Sequence, residues 1–143
     1  MNYNLARPFY LSACRYPGNV AVNANGQELL YRDVLQQVMT VAAWLRSRGT
    51  IPARVGILAS RSADACIGIL AAGWVGATYV PINPAFPEDA LLGLIKRSGL
   101  DALITDKEGS ELLTPRLRAA SPAMVLAHRA SAPGDARNGI IDY

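Results

Sequence analysis

Apolar positions along the chain follow two spacings that alternate from the N-terminus to the C-terminus. Apolar residues three and four positions apart predict helices at 5–16, 34–45, 87–99 and 108–120. Short apolar runs are typical of strands buried on both faces of a parallel sheet. They predict strands at 55–59, 78–82, 102–105 and 124–127.

The alternation of strands and helices predicts an α/β fold, with a mainly parallel sheet and helices on both faces. Ahead of this region, the pattern predicts an N-terminal helix and a β-hairpin whose turn is Asn25-Gly26. We expect residues 1–128 to form one α/β subdomain. Residues 129–143 begin with a tract rich in Ser, Pro, Gly and charges, and we expect them to form a flexible connection.

Composition narrows the class of protein. The 143 residues are 51% hydrophobic, which is enough for one core. The net charge of +3 comes from residues dispersed along the chain, so it does not indicate nucleic-acid binding.

The uncharged run 65–82 approaches membrane-spanning length, but Gly76 within it favours a buried helix followed by a strand. Cys14 and Cys66 lie among apolar neighbours without metal-ligand spacing, so we expect buried free thiols in a cytoplasmic protein.

Candidate ligand-binding positions lie where strands end, because parallel sheets bind ligands outside the carboxyl ends of their strands. Ser60, Arg61, Asn83 and Asp106 are expected there. Arg61 could hold an anion or be a solvated or paired arginine, and Asn83 could anchor a turn through its side chain. His128, the only histidine, is interpreted as a surface or strand-end residue because no partner group is evident. We assign no catalytic residue, cofactor-binding residue or metal ligand.

Three stretches follow one another in a consistent order and spacing. Residues 30–35 read LYRDVL, residues 56–62 read GILASRS before an apolar helix, and residues 76–87 read GATYVPINPAFP. The last stretch is similar to the G-A-Y-V-P-L-D-P-x-Y-P stretch of amino-acid adenylation domains, and the first is similar to their L-T-Y-x-E-L stretch. The chain therefore resembles the N-terminal part of adenylate-forming, AMP-binding ligases. Leu30, Asn83 and Phe86 depart from the usual residues and leave the subfamily open.

The resemblance implies an enzyme that uses ATP and Mg²⁺ to convert an amino acid or other carboxylate into an acyl-adenylate, which passes to a carrier-protein thiol. The family's phosphate-binding loop and catalytic lysine are not in this sequence. We therefore expect a fragment that is inactive and without cofactor alone, and whose partner is the remainder of the adenylation domain or a second chain. An acyl- or aryl-coenzyme A ligase stays open, as does a non-catalytic α/β module that binds a partner protein.

Overall fold

The computed structural model describes residues 4–128 and 140–142. The helices are α1 (Ala6–Arg15), α2 (Tyr31–Arg46), α3 (Ala63–Val75), α4 (Glu88–Ser98), α5 (Lys107–Glu111) and α6 (Pro115–Ala120). The strands are β1 (Val20–Ala24), β2 (Gln27–Leu30), β3 (Arg54–Leu58), β4 (Thr78–Ile82), β5 (Ala102–Thr105), β6 (Met124–His128) and β7 (Ile140–Asp142).

Five strands form one sheet in the order β4-β3-β5-β6-β7, while β1 and β2 form a separate antiparallel hairpin. Strands β3 to β6 run parallel, and β7 pairs antiparallel with β6. The chain passes from β3 to β4 on one side and then places β5 on the other side of β3. The strand order therefore reverses between β3 and β5, which makes this point the topological switch of the sheet.

Helices cover both faces of the sheet. Buried residues of α2 and α3 pack with Ile57 and Ile104 on one face. Buried residues of α4 and α6 pack with Leu58 and Leu103 on the other face. Neighbouring residues of one strand belong to different layers because side chains alternate along a strand. This arrangement explains why these strands carry continuous apolar runs in the sequence.

Local signals in the sequence set the ends of several helices. The Ser62 hydroxyl oxygen accepts a hydrogen bond from the Ala65 N–H at 3.2 Å and begins α3. Gly76, at φ 84°, ends α3 in the left-handed region, and Gly99, at φ 57°, ends α4 in the same way. The Thr114 hydroxyl accepts from the Leu117 N–H at 3.2 Å, so the predicted helical stretch 108–120 divides into α5 and α6.

The structure confirms the predicted fold class, including the N-terminal helix and the hairpin. The uncharged run 65–82 forms a helix and a parallel strand, as predicted. Among residues 4–128 and 140–142, no helix has the length and apolar character needed to cross a membrane. Residues 129–139, most of the predicted connection, lie outside the described residues, and within that connection Ile140–Asp142 adds strand β7.

The prediction that both cysteines are buried is wrong. Cys14 and Cys66 are free, as predicted, but exposed. Cys14 follows the buried Ala13, and Cys66 precedes the buried Ile67. Because a helix completes a turn in about 3.6 residues, the next position along the chain points in a different direction. Apolar neighbours in sequence therefore did not imply burial.

Candidate functional site

A cavity of about 700 Å³ lies at the carboxyl end of the sheet. Ser60 follows β3, Asp106 follows β5 and His128 ends β6, and all three line the cavity. Ser62 and Asp64, at the start of α3, line it as well. The cavity lies at the switch between β3 and β5, where parallel α/β proteins bind ligands. We refer to the cavity lined by these five residues as the switch-point crevice.

Asp106 organises the floor of the switch-point crevice. It is 2% exposed. Its Oδ1 accepts a hydrogen bond from the Gly109 N–H at 2.8 Å. Its Oδ2 accepts from the Ser60 N–H at 2.8 Å and from the Ser60 hydroxyl at 2.7 Å. One carboxylate therefore joins the loop after β3 to the first turn of α5.

The environment of Asp106 favours its ionised form. Burial alone would raise the pKa of Asp106, because a low dielectric disfavours a carboxylate. Hydrogen bonds from Gly109, Ser60 and Ser62 to the carboxylate outweigh burial, so the pKa of Asp106 lies below its ordinary value. Asp106 thus contributes a negative charge to the crevice at neutral pH.

Asp64 and His128 form a pair on the wall of the crevice. The imidazole Nδ1 lies 3.0 Å from Asp64 Oδ2, and each side chain is 21% exposed. The backbone N–H of His128 donates to the Ser110 hydroxyl oxygen at 2.8 Å. An ionised carboxylate can only accept, so Nδ1 carries the proton in this pair. The contact joins the first turn of α3 to the end of β6.

Asp64 differs from Asp106 in how its charge is compensated. Burial raises the pKa of Asp64, the charge and hydrogen bond of His128 lower it in part, and the charge of Asp106 raises it again. The net pKa of Asp64 lies above its ordinary value. Ionised Asp64 is therefore less favourable in the folded chain than in the unfolded chain, which makes Asp64 a candidate residue for a functional site.

We expect Asp64→Asn to remove one component of the pH dependence of stability. Because the pKa of Asp64 is higher in the folded chain than in the unfolded chain, the wild-type chain loses stability as pH rises from the unfolded value to the folded value. Asparagine has no proton to lose and retains an oxygen that can accept from His128. The urea midpoint of the variant should therefore rise relative to that of the wild-type chain as pH rises from about pH 3 to pH 7.

The matched control for this titration is Asp33→Asn. Asp33 lies on α2, its side chain is 45% exposed, and it does not line the crevice. The control measures the change that follows from replacing an exposed carboxylate outside the crevice. If Asp64→Asn and the wild-type chain give parallel curves over the whole range, the ionisation of Asp64 is not linked to folding.

The structure brings together only some of the predicted strand-end residues. Ser60 lies in the crevice with Asp106. Arg61 is exposed and makes no hydrogen bond or ion pair within the described part of the chain. Asn83 Oδ1 accepts from the Ala85 N–H at 2.9 Å, the turn contact that the sequence suggested. Asn83 is separated from the crevice because β4 is the edge strand beyond β3.

The sequence pattern does not predict the contact between Asp64 and His128. The interpretation of His128 as a strand-end residue is confirmed, but the view that it has no evident partner is wrong, because Asp64 is its partner. One signal was present in the sequence. Asp64 comes two residues after the helix cap Ser62, at the sheet edge where β6 also ends. Combining the two positions would have brought an acid and a histidine to one edge.

The side chains of the crevice do not fit ATP. Phosphates at a helix N-terminus need available backbone N–H groups and favour cationic side chains. At the start of α3, Ser62 already accepts from the Ala65 N–H, and Asp64 and Asp106 place carboxylates nearby. No three His, Cys, Asp or Glu side chains form a metal-ion group within residues 4–128 and 140–142. We therefore assign no step of nucleotide chemistry to these residues.

An open parallel sheet with this strand order and helices on both faces is the fold of N-terminal subdomains of adenylate-forming enzymes. Residues 9–138 match the family described as AMP-binding enzyme. The chain belongs to the AMP-binding enzyme family.

Similar proteins include peptide synthases. Bacitracin synthase 3 of Bacillus licheniformis is 35% identical over 104 residues, which cover 72% of this chain and 2% of the synthase. Tyrocidine synthase 3 of Brevibacillus parabrevis is 36% identical over 107 residues, 74% of this chain and 2% of the synthase. The crystal structure of IdnL7 is 30% identical with a TM-score of 0.79, over 99% of this chain and 29% of IdnL7. The resemblance stated from the sequence is confirmed, and the chain spans a small part of each relative.

Proposed function

We propose that the chain is the N-terminal part of an adenylation domain that activates an amino acid or another carboxylate. In the complete domain, the carboxylate attacks the α-phosphate of ATP with Mg²⁺ present, and pyrophosphate leaves. The acyl-adenylate then passes its acyl group to the thiol of a carrier protein. The observation that carries the proposal is the identity of 35% and 36% to two peptide synthases over about three quarters of the chain.

The contribution of this chain to such an enzyme is structural. Two buried layers fix the sheet from both faces, and Asp106 fixes the loop after β3. Catalysis of adenylate formation depends on charged groups placed around the reacting phosphate. The chemistry of the switch-point crevice does not supply them, so the proposal assigns them to the polypeptide that completes the domain.

The proposal includes a domain boundary and a compartment. Residues 1–128 form the α/β subdomain, and residues 129–143, of which Ile140–Asp142 pair with β6, connect it to the remainder of the adenylation domain or to a second chain that completes it. The composition of that connection, rich in Ser, Pro, Gly and charges, supports this boundary. The free thiols of Cys14 and Cys66 support a reducing, cytoplasmic compartment.

ATP–pyrophosphate exchange tests the proposed activity. The chain alone should show no exchange. The chain should then be joined to the polypeptide that completes the domain. In this protein, one amino acid should raise the rate of exchange about tenfold or more over the rate without substrate. A folded, soluble completed protein that exchanges with no carboxylate contradicts the proposal.

The acid that supports exchange in this assay also distinguishes an adenylation domain from a second candidate function. Asn83 and Phe86 depart from the usual residues of amino-acid adenylation domains, which keeps an acyl- or aryl-coenzyme A ligase under consideration. Exchange with an aryl or fatty acid, followed by formation of its coenzyme A thioester, would favour that ligase. Exchange with an amino acid and transfer to a carrier protein would favour the adenylation domain.

A further inference from the structure

The switch-point crevice has the size and position of a small-molecule site. Its volume of about 700 Å³ lies within the range that such sites occupy. It lies where the strand order reverses between β3 and β5. Its lining combines buried polar groups with a wall from the hairpin and α2.

Most hydrogen-bonding atoms on the floor already have partners. Both oxygens of Asp106 accept hydrogen bonds from Ser60 and Gly109. The Ser62 hydroxyl oxygen accepts from the start of α3. On the wall, Asp64 Oδ1 and His128 Nε2 have no hydrogen bond to any described residue. Asp64 Oδ1 is an acceptor, and His128 Nε2 is an acceptor in the tautomer that carries its proton on Nδ1.

The part of the lining that comes from the hairpin and α2 is partly apolar. Ala24 and Leu29 of the hairpin and Val41 of α2 line it, among the polar Asn25, Gln27, Gln37 and Thr40. Val41 is 4% exposed, so its side chain belongs to the packed protein. A ligand in the crevice therefore meets acceptors at Asp64 and His128, and aliphatic carbon beside amide and hydroxyl groups at the hairpin and α2.

Charge decides between a cation and an anion. Asp64, Asp106, Glu108 and Glu111 line the crevice, and Lys107 is the lysine that accompanies them. A carboxylate or phosphate placed there would meet like charges, whereas an ammonium group would meet opposite charges. We propose that the switch-point crevice binds a small organic ammonium ion, with its charged end at Asp64 and His128 and its aliphatic body against Leu29 and Val41.

An ammonium at this position would also stabilise the partly buried carboxylate of Asp64. Burial raises the pKa of Asp64, and one hydrogen bond from His128 offsets burial only in part. A cationic donor at Asp64 Oδ1 would provide a second, charge-assisted hydrogen bond. The proposal does not rest on adenylate formation, because it concerns binding by this chain without ATP.

Titration with three probes of equal chain length tests the proposal. Hexylamine, hexanol and hexanoate differ in the charge of one end and share the aliphatic body. His128 is the only histidine, so its imidazole C–H signals can be followed by NMR without overlap from another histidine. We expect hexylamine to shift these signals and to bind about tenfold or more tightly than hexanol, while hexanoate binds more weakly than either.

Variants identify the contact that carries the preference. Asp64→Asn should reduce the preference for hexylamine over hexanol about tenfold, and the exposed control Asp33→Asn should leave it unchanged. Absence of a His128 shift, equal binding of hexylamine and hexanol, or an unchanged preference in Asp64→Asn would each overturn the proposal. If Asp64→Asn does not fold by circular dichroism, the three-probe comparison on the wild-type chain decides alone. Pyrophosphate exchange by the completed enzyme is unaffected by any of these outcomes.

Discussion

Gly109→Ala should destabilise the chain by about 3 kcal/mol, which corresponds to a fall in melting temperature of roughly 10 °C. A Cβ on Gly109 would overlap the carbonyl oxygen of Leu58 and lie 2.9 Å from its carbonyl carbon. These are backbone atoms of β3 and cannot rotate away as a side chain can. Helix α5 would have to move outward, and the hydrogen bond from the Gly109 N–H to Asp106 would lengthen or break.

Gly73→Ala is the matched control for this substitution. Gly73 also lies in a helix, α3, but a Cβ there would have its nearest neighbour, the Ala6 nitrogen, at 3.6 Å, which is ordinary contact. Alanine is favoured over glycine within a helix by up to about 1 kcal/mol, so this variant should be neutral or stabilised. Thermal and urea unfolding of both variants measure the difference. Equal midpoints for Gly109→Ala and the wild-type chain would show that α5 is not packed directly on β3.

The close contact between α5 and β3 illustrates what the sequence could not predict. The strands at 78–82 and 102–105 were predicted with the bounds that the structure shows, because a buried parallel strand has a continuous apolar run. Gly76 and Gly99 marked helix ends through local backbone conformation. Gly109, in contrast, is required by an atom of β3 about fifty residues earlier, and local pattern carries no information about that distance.

The same distinction applies to the switch-point crevice. Parallel strands end at one edge of a sheet, so the sequence could place Ser60 and Asp106 at that edge. It could not show that α3 begins close enough to β6 for Asp64 to contact His128. The strand order decides which strand ends are neighbours, and this order separated Asn83 from the crevice. Sequence patterns indicate the elements, whereas packing between distant elements decides the site.

Asp106→Ala should be the most destabilising substitution in the crevice, with a loss of about 3–5 kcal/mol. Asp106 is 2% exposed and accepts hydrogen bonds from the Ser60 N–H, the Ser60 hydroxyl and the Gly109 N–H. Alanine would leave these donors without a partner, and a buried donor without a partner costs about 1–3 kcal/mol. Urea unfolding of the variant and the wild-type chain at neutral pH measures the loss.

Asp101→Ala offers a control with the same chemistry at the surface. Asp101 Oδ2 accepts from the backbone N–H groups of Ala53 and Arg54 at 2.8 and 2.9 Å, but these contacts are exposed to solvent. Water can replace the lost acceptor there, so the expected loss is about 1 kcal/mol. A loss for Asp101→Ala equal to that for Asp106→Ala would mean that burial does not determine the contribution of Asp106.

The pH dependence of the Asp106 contribution separates its charge from its packing. Because the pKa of Asp106 is lower in the folded chain than in the unfolded chain, its stabilisation is complete above the unfolded value and is lost as pH falls through the folded value. The difference in unfolding free energy between the wild-type chain and Asp106→Ala should therefore shrink in acid. Asp64 acts in the opposite direction over the same range, since its pKa is raised. Measuring the difference in an Asp64→Asn background removes that contribution, and a difference that stays constant with pH would contradict an ionised Asp106 at the floor of the crevice.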